Sequence, residues 1–318
     1  MKTKHDVGHI AALITIVIWA TTFVSTKVLL VEFSPIEILF FRFVIGYIVL
    51  LLIYPKRLQI ANRKQSKYFV LAGFSGICLY YLLENIALTY TKASNVGVII
   101  SLAPFFTAIL SSLILKGKHT LIIRFFIGFI MAMLGIILIS YKESNMRINP
   151  TGDFLALLAA LSWACYSVLT KKISEFGYHS VQVTRKVFSY GILFMLPVMF
   201  LFDFKLDMGR FTNKVYLFNI LFLGLGASAL CFVTWNYAVK VLGAVKTSIY
   251  IYLVPVITVI VSAFVLNETI KIQTTIGIAL TIVGLLISEE KCQKKRCYLV
   301  KSKNIITYLL NLPSWLWK

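Results

Sequence analysis

The sequence predicts an all-α integral membrane protein whose ten transmembrane helices form a 5+5 inverted-topology repeat. Three observations lead there. Of 318 residues, 59% are hydrophobic and only 14% charged, with a mean hydropathy of +0.86. Soluble domains carry about 25% charged residues, and no single aqueous core hides this much apolar surface. Ten apolar runs approach or exceed the roughly 20 residues that cross a bilayer. Finally, Trp19-Ala20-x-x-x-Val24-x-Thr26-Lys27 recurs as Trp163-Ala164-x-x-x-Val168-x-Thr170-Lys171, each in the first run of its half, the mark of a duplicated bundle.

The runs cover residues 9–29, 34–54, 68–90, 93–115, 121–141, 153–173, 180–202, 214–239, 244–266 and 272–288. Short connections make neighbouring helices antiparallel and leave no space for a soluble domain. The first run lacks a small-residue cleavage site, so it reads as a retained span rather than a signal peptide. Orientation follows from Lys and Arg, which concentrate on cytoplasmic segments. With the N-terminus inside, inner segments hold 21 of them and outer segments 8. Both termini are therefore expected in the cytoplasm of a multi-pass protein of the cell membrane. The net charge of +20 is spread between the runs and in the tail, not gathered on one basic face. It points to topology and anionic lipid headgroups, with no nucleic-acid partner.

The duplication continues beyond the first run. Gly73 matches Gly224, and Asn85-x-Ala87 matches Asn236-x-Ala238. Seventeen residues after each alanine stands a proline, Pro104 or Pro255. Gly128 and Gly135 match Gly277 and Gly284, each pair being followed by a serine, Ser140 or Ser288, while Gly46 stands opposite Gly191. Five spans per half force the second half upside down relative to the first. The domains are thus expected at 1–145 and 146–290, followed by a basic cytoplasmic tail, 291–318, suited to the headgroup region.

Several of these runs resemble a known family. Trp19-Ala20-x-x-Phe23-Val24-x-x-Lys27, Leu39-Phe40-Phe41-Arg42-Phe43, Leu102-Ala103-Pro104-Phe105-Phe106-Thr107-Ala108 and Leu266-Asn267-Glu268-Thr269-Ile270 are similar to the EamA-type domain of the drug/metabolite transporter superfamily. The resemblance covers roughly residues 9–288. It implies ten helices, cytoplasmic termini, alternating access, a central site for an amino acid, related metabolite or drug-like solute, and export. The tail lies outside it.

Candidate site residues are the polar groups that lipid would penalise. A charge at a helix centre costs about 2.5–3.5 kcal/mol on insertion scales. Glu84 lies inside the third run and Arg42 near the middle of the second, so the two are expected to face each other, directly or through water or solute. That arrangement reads equally as a structural ion pair and as part of a transport site. Tyr81, Glu84 and Asn85 share one helical face, and the eighth run offers Trp235 and Asn236 at the matching place. Asparagines bonded across a helix interface would give the same pattern without a ligand. Trp19 and Trp163 lie away from helix ends, each with hydroxyls on its face, as in a pocket for a mixed apolar and polar solute; helix packing, with the threonines bonded to backbone carbonyls, gives the same pattern and is the simpler reading of each residue singly. Pro104 and Pro255 interrupt the backbone ladder and point to a central site or hinge, while a plain packing kink would give the same pattern. Ser101 and Tyr252 are nearby hydroxyl donors, with Tyr250 excluded from the same face as Tyr252 on a regular helix. The four glycines of the fifth and tenth runs suit close packing, between the repeats or between protomers of a homodimer.

No phosphate-binding loop, metal-ligand spacing or nucleophile elbow is present, and the cysteines form no framework. The chain is therefore read as no enzyme and as needing no cofactor. The expected function is a secondary carrier for a small-molecule substrate, with Glu84 as a candidate for proton coupling. A membrane-embedded lipid-modifying enzyme and a non-saturable channel are the competing readings.

Overall fold

The computed structural model describes residues 4–91, 93–115, 123–140, 149–201, 204–257, 260 and 272–289. The Leu266–Ile270 motif and the tail lie outside the described residues. Within them the chain is helical and contains no strand. Seven helices are long and apolar enough to cross a membrane: α1 (Lys4–Leu29), α2 (Pro35–Ile53), α3 (Arg63–Tyr90), α4 (Asn95–Ile114), α6 (Pro150–Ser174), α7 (Ser180–Leu201) and α8 (Lys214–Leu242). Three shorter apolar segments accompany them: α5 (Ile123–Ile139), α9 (Ala244–Ile257) and α10 (Ile272–Ser288).

Local chemistry sets several boundaries. Ser34 caps α2 through a reciprocal pair: the Glu37 amide donates to Ser34 Oγ at 3.4 Å, and the Ser34 amide donates to Glu37 Oε2 at 2.8 Å. Pro35 follows at the first turn, where its missing N–H costs nothing. Helix α8 ends at Gly243, whose φ of 95° is open to glycine and strained for other residues.

Four spans are irregular at matching places. In α3, Gly73–Leu79 forms a π-helical turn, and in α8 the same occurs over Phe222–Leu230. Helix α4 breaks at Ser101 and Leu102 and restarts at Ala103 with Pro104 in its first turn. In α9 a 3-10 turn, Ile249–Tyr252, precedes the helical stretch that holds Pro255. Both prolines thus sit at real interruptions.

Helices of the first half pack on helices of the second in exchanged pairs. α1 lies on α8 and α6 on α3; α2 packs on the π turn of α8 and α7 on the π turn of α3; α2 crosses α7, and α5 lies along α10. The last crossing explains the glycine stripe. A Cβ at Gly284 would stand 2.6 Å from the Gly128 carbonyl oxygen, and one at Gly277 would stand 2.7 Å from that of Gly135. The glycines therefore join α5 to α10, the first of the two packing roles open to them.

One strap crosses between halves outside the helices. Arg210, in the short turn Met208–Thr212, grips Glu37 with both arms at 2.9 and 3.2 Å, while the Lys205 amide donates to Glu37 Oε1 at 2.9 Å. The Glu37 side chain is only 3% exposed, so it relies on these donors.

Gly284→Val should overpack the α5–α10 crossing and cost about 1–3 kcal/mol, read as a lower melting temperature in detergent. Gly226→Ala, whose Cβ would meet Phe222 at an ordinary 3.6 Å, should leave that temperature unchanged. Arg210→Gln should cost about 3 kcal/mol by stranding the Glu37 carboxylate, and Glu37→Gln in the same chain should recover part of the loss.

Candidate functional site

The centre of the bundle is an aromatic cluster held by the exchanged helices. The Trp19 ring stands 5.1 Å from Trp163 and 5.1 Å from Trp235, and Trp163 stands 4.8 Å from Tyr80. Trp19 Nε1 donates to the Ala227 carbonyl in the π turn of α8 at 3.0 Å. From the other half, Ser162 Oγ donates to the Ser75 carbonyl in the π turn of α3 at 2.8 Å. Each π turn thus offers a carbonyl to the opposite half.

Beside this cluster is a cavity lined by α1 (Ile16, Trp19, Thr22, Phe23), α3 (Tyr80, Tyr81, Glu84), α4 (Gly97, Ile100), α6 (Trp163) and α9 (Ile251, Val254). Its free volume is about 40 Å³, room for a few water molecules. Glu84 is 3% exposed and is hydrogen-bonded through its side chain to Tyr80, yet its Oε2 has no partner. Trp163 Nε1 is a buried donor, also without a partner. The cavity wall therefore carries one unmatched acceptor and one unmatched donor among aromatic rings.

Arg42 lies behind the wall, at 1% exposure. It does not form a direct ion pair with Glu84. Its Nε donates to Ser228 Oγ in the π turn of α8 at 3.1 Å, and its guanidinium carbon lies 4.3 Å over the Tyr81 ring. Tyr81 in turn contacts Tyr80 at 4.6 Å between centroids, so two rings bridge the charges.

Of the ten binding residues the sequence suggests, Trp19, Tyr81, Glu84 and Trp163 line the cavity. The others sit elsewhere. Asn85 Nδ2 donates to the Pro35 carbonyl at 3.1 Å, tying α3 to the start of α2. Asn236 accepts from Tyr166 at 2.8 Å and donates to Thr184 at 2.9 Å, tying α8 to α6 and α7. The paired amides are therefore helix junctions. Trp235 is fully buried behind Trp19 and Trp163. Ser101 Oγ donates to the Gly97 carbonyl at 2.8 Å, across the break in α4. Tyr252 is buried in a separate cluster with Ala108 and Phe125. A 3-10 turn has three residues per turn, so Ile251 and Val254 share the cavity face and Tyr252 does not.

Sequence reasoning missed Tyr80, which follows directly on the π turn. It also assigned no role to the lysines of the repeated motif. Lys27 Nζ donates to the carbonyls of Leu88 and Thr91 at the end of α3, the latter at 3.0 Å. Lys171 Nζ does the same for Lys240 in α8, at 3.4 Å. The recurrence of Thr-Lys at the same spacing was the signal for this capping device.

If Arg42 and Glu84 act on each other through the tyrosines, their removals should not add. Arg42→Met combined with Glu84→Gln should destabilise by at least about 0.5 kcal/mol less than the two single losses together, measured by denaturation in detergent. Strict additivity would mean that the charges are energetically independent.

Comparison with known proteins agrees with this architecture. The signature of the EamA-like transporter family matches residues 6–141 and again 150–288. An uncharacterized transporter of Archaeoglobus fulgidus is 30% identical over 295 residues, covering 89% of this chain and 97% of that protein. A probable terminal-alkyne amino-acid exporter of Streptantibioticus cattleyicolor is 25% identical over 288 residues, covering 90% and 94%. A crystal structure superposes with a TM-score of 0.69 at 18% identity, over 88% of this chain and 96% of the other, which concerns the fold alone. With both halves of the chain matched, this multi-pass membrane protein belongs to the EamA-like transporter family.

Proposed function

We propose that the chain is a secondary carrier that moves a small organic solute bearing an amino group across the cell membrane by alternating access. The observation that carries this reading is the buried carboxylate of Glu84, with one oxygen unpartnered, in an aromatic cavity that draws on helices from both halves. Tryptophan and tyrosine faces attract cations, and a carboxylate completes the match to an ammonium group. Trp163 Nε1 is placed to serve an acceptor on the same solute. The amino-acid exporter among the relatives is in keeping with this class.

In this reading α5, α9 and α10 cross the membrane with the seven longer helices, and the chain is two inverted five-helix modules, 1–145 and 146–290. Support comes from the exchanged packing pairs and the matched π turns. The Lys and Arg bias puts both termini in the cytoplasm. A cavity of about 40 Å³ is well below the roughly 300 Å³ of small-molecule sites. The conformation is then a contracted one, and the breaks at Pro104 and Pro255 supply the freedom to open it. Export is the direction favoured by the family resemblance. Glu84 exchanges a proton for the solute in the simplest coupling scheme.

The test is counterflow in proteoliposomes with a panel of labelled amino acids and amines. Saturable uptake is expected. Glu84→Gln should raise KM for the active solute about 10–100-fold, the loss of a charge-assisted hydrogen bond. Trp163→Phe should raise it about 3–10-fold. Flux that never saturates, or that ignores Glu84→Gln both in affinity and across a pH step, would remove this reading.

A further inference from the structure

A second pocket lies well away from the aromatic cavity, where α2 ends and α7 begins. It is lined by Tyr47, Arg57, Gln182, Arg185, Lys186 and Ser189, with Leu58 at its edge, and has a free volume of about 270 Å³. Three of these side chains are cationic, and no carboxylate is among them. We propose that this pocket binds a phosphate group.

The walls are built and not merely crowded with charge. Arg185 is 6% exposed. Its guanidinium donates to the carbonyls of Tyr54 and Lys56, the latter at 2.5 Å, which anchors the segment that leaves α2. Gln182 Nε2 adds bonds to the carbonyls of Lys56 and Arg57 at 3.2 and 3.4 Å. The Tyr54 ring stacks on His179 at 4.7 Å. Arg57 is thereby held at the rim with an exposed side chain. Lys186 faces the pocket one residue after Arg185, with its amino group 4.9 Å from the Tyr190 ring. A guanidinium and an ammonium from residues lining one polar space offer donors suited to the oxygens of a phosphate.

Position favours a lipid as the source. The last turn of α2 exposes Leu52 at 75% and Ile53 at 67%, as expected of residues that face acyl chains. Arg57 follows four residues later, at the level where headgroup phosphates lie. A soluble phosphate would satisfy the same donors, so the experiment has an arm for each.

Delipidated protein in detergent is titrated with phosphatidylglycerol and, separately, with phosphatidylcholine, and bound lipid is counted by native mass spectrometry. Inorganic phosphate is titrated against chloride at equal ionic strength, with melting temperature as readout. Phosphatidylglycerol should be retained preferentially, and Arg57→Gln with Lys186→Gln should weaken it about thirtyfold. Folding should survive, since neither side chain anchors the backbone. Lys64→Gln with Lys214→Gln removes two exposed charges elsewhere and should change nothing. Stabilisation by inorganic phosphate that the Arg57/Lys186 variant loses, without lipid preference, would keep the phosphate site and assign it to a soluble ligand. Equal weakening by the two double variants, or no phosphate dependence in either arm, would overturn the proposal.

Discussion

Backbone carbonyls in hydrocarbon need donors, and in this bundle the π turns of α3 and α8 accept side-chain donors from the opposite half besides their own helix bonds, as the Ser75 carbonyl does from the Tyr80 amide. Trp19 takes the Ala227 carbonyl and Ser162 takes that of Ser75, each donor coming from the opposite half. The same two turns receive α2 and α7 at glycines: a Cβ at Gly224 would collide with Ile45, and one at Gly73 would lie 2.8 Å from the Gly191 amide. The irregular turns are therefore among the places where the halves are joined. The candidate site borders that junction through Trp19, which binds a π turn and lines the cavity at once.

Buried charge is handled in three ways, and the difference separates architecture from chemistry. Glu37 is saturated, with Arg210 on two sides and two backbone amides. Such a group has no capacity left for a ligand. Arg42 is half satisfied, by Ser228 and by the faces of Tyr81 and Phe43. Glu84 keeps one buried oxygen unmatched, on a side chain that lines the cavity. Among these three charges only Glu84 combines burial, an unpartnered atom and a place on the cavity wall, which is why it ranks above the other two as a binding group.

Much of this was legible in the sequence, because lipid makes helices long, apolar and countable. The matched motifs pointed to tryptophans that meet in the structure, to the interruptions beside Pro104 and Pro255, and to the glycines of the α5–α10 crossing. What failed was helix phase. A regular helical wheel placed Tyr252 toward the centre. The 3-10 turn in α9 shortens the period, so the cavity side falls to Ile251 and Val254. Tyr80 escaped notice because the π turn ends one residue before it. Nothing in residue identity announces a π turn: Gly73 and Gly224 mark the place but equally suit plain close packing. The asparagines failed for another reason. Amides bond across helices as readily as they line cavities, and only partner distances separate the two.

The halves are alike in plan but unlike in detail. Among the described residues α6 lies along the second part of α4, and α1 meets the 3-10 turn of α9. The cavity lies between α1, α3, α4, α6 and α9. At one end Lys27 binds two carbonyls of α3 tightly; at the other Lys171 reaches α8 at 3.4 Å. On the carrier reading proposed above, two inverted modules that exchange their local conformations would give the same structure facing the other way. In that mirror state Lys171 would hold carbonyls of α8 as Lys27 now holds those of α3. The α5–α10 crossing would map onto itself under the exchange, so on this reading its close-packed glycines stay fixed while the interrupted helices α4 and α9 trade places.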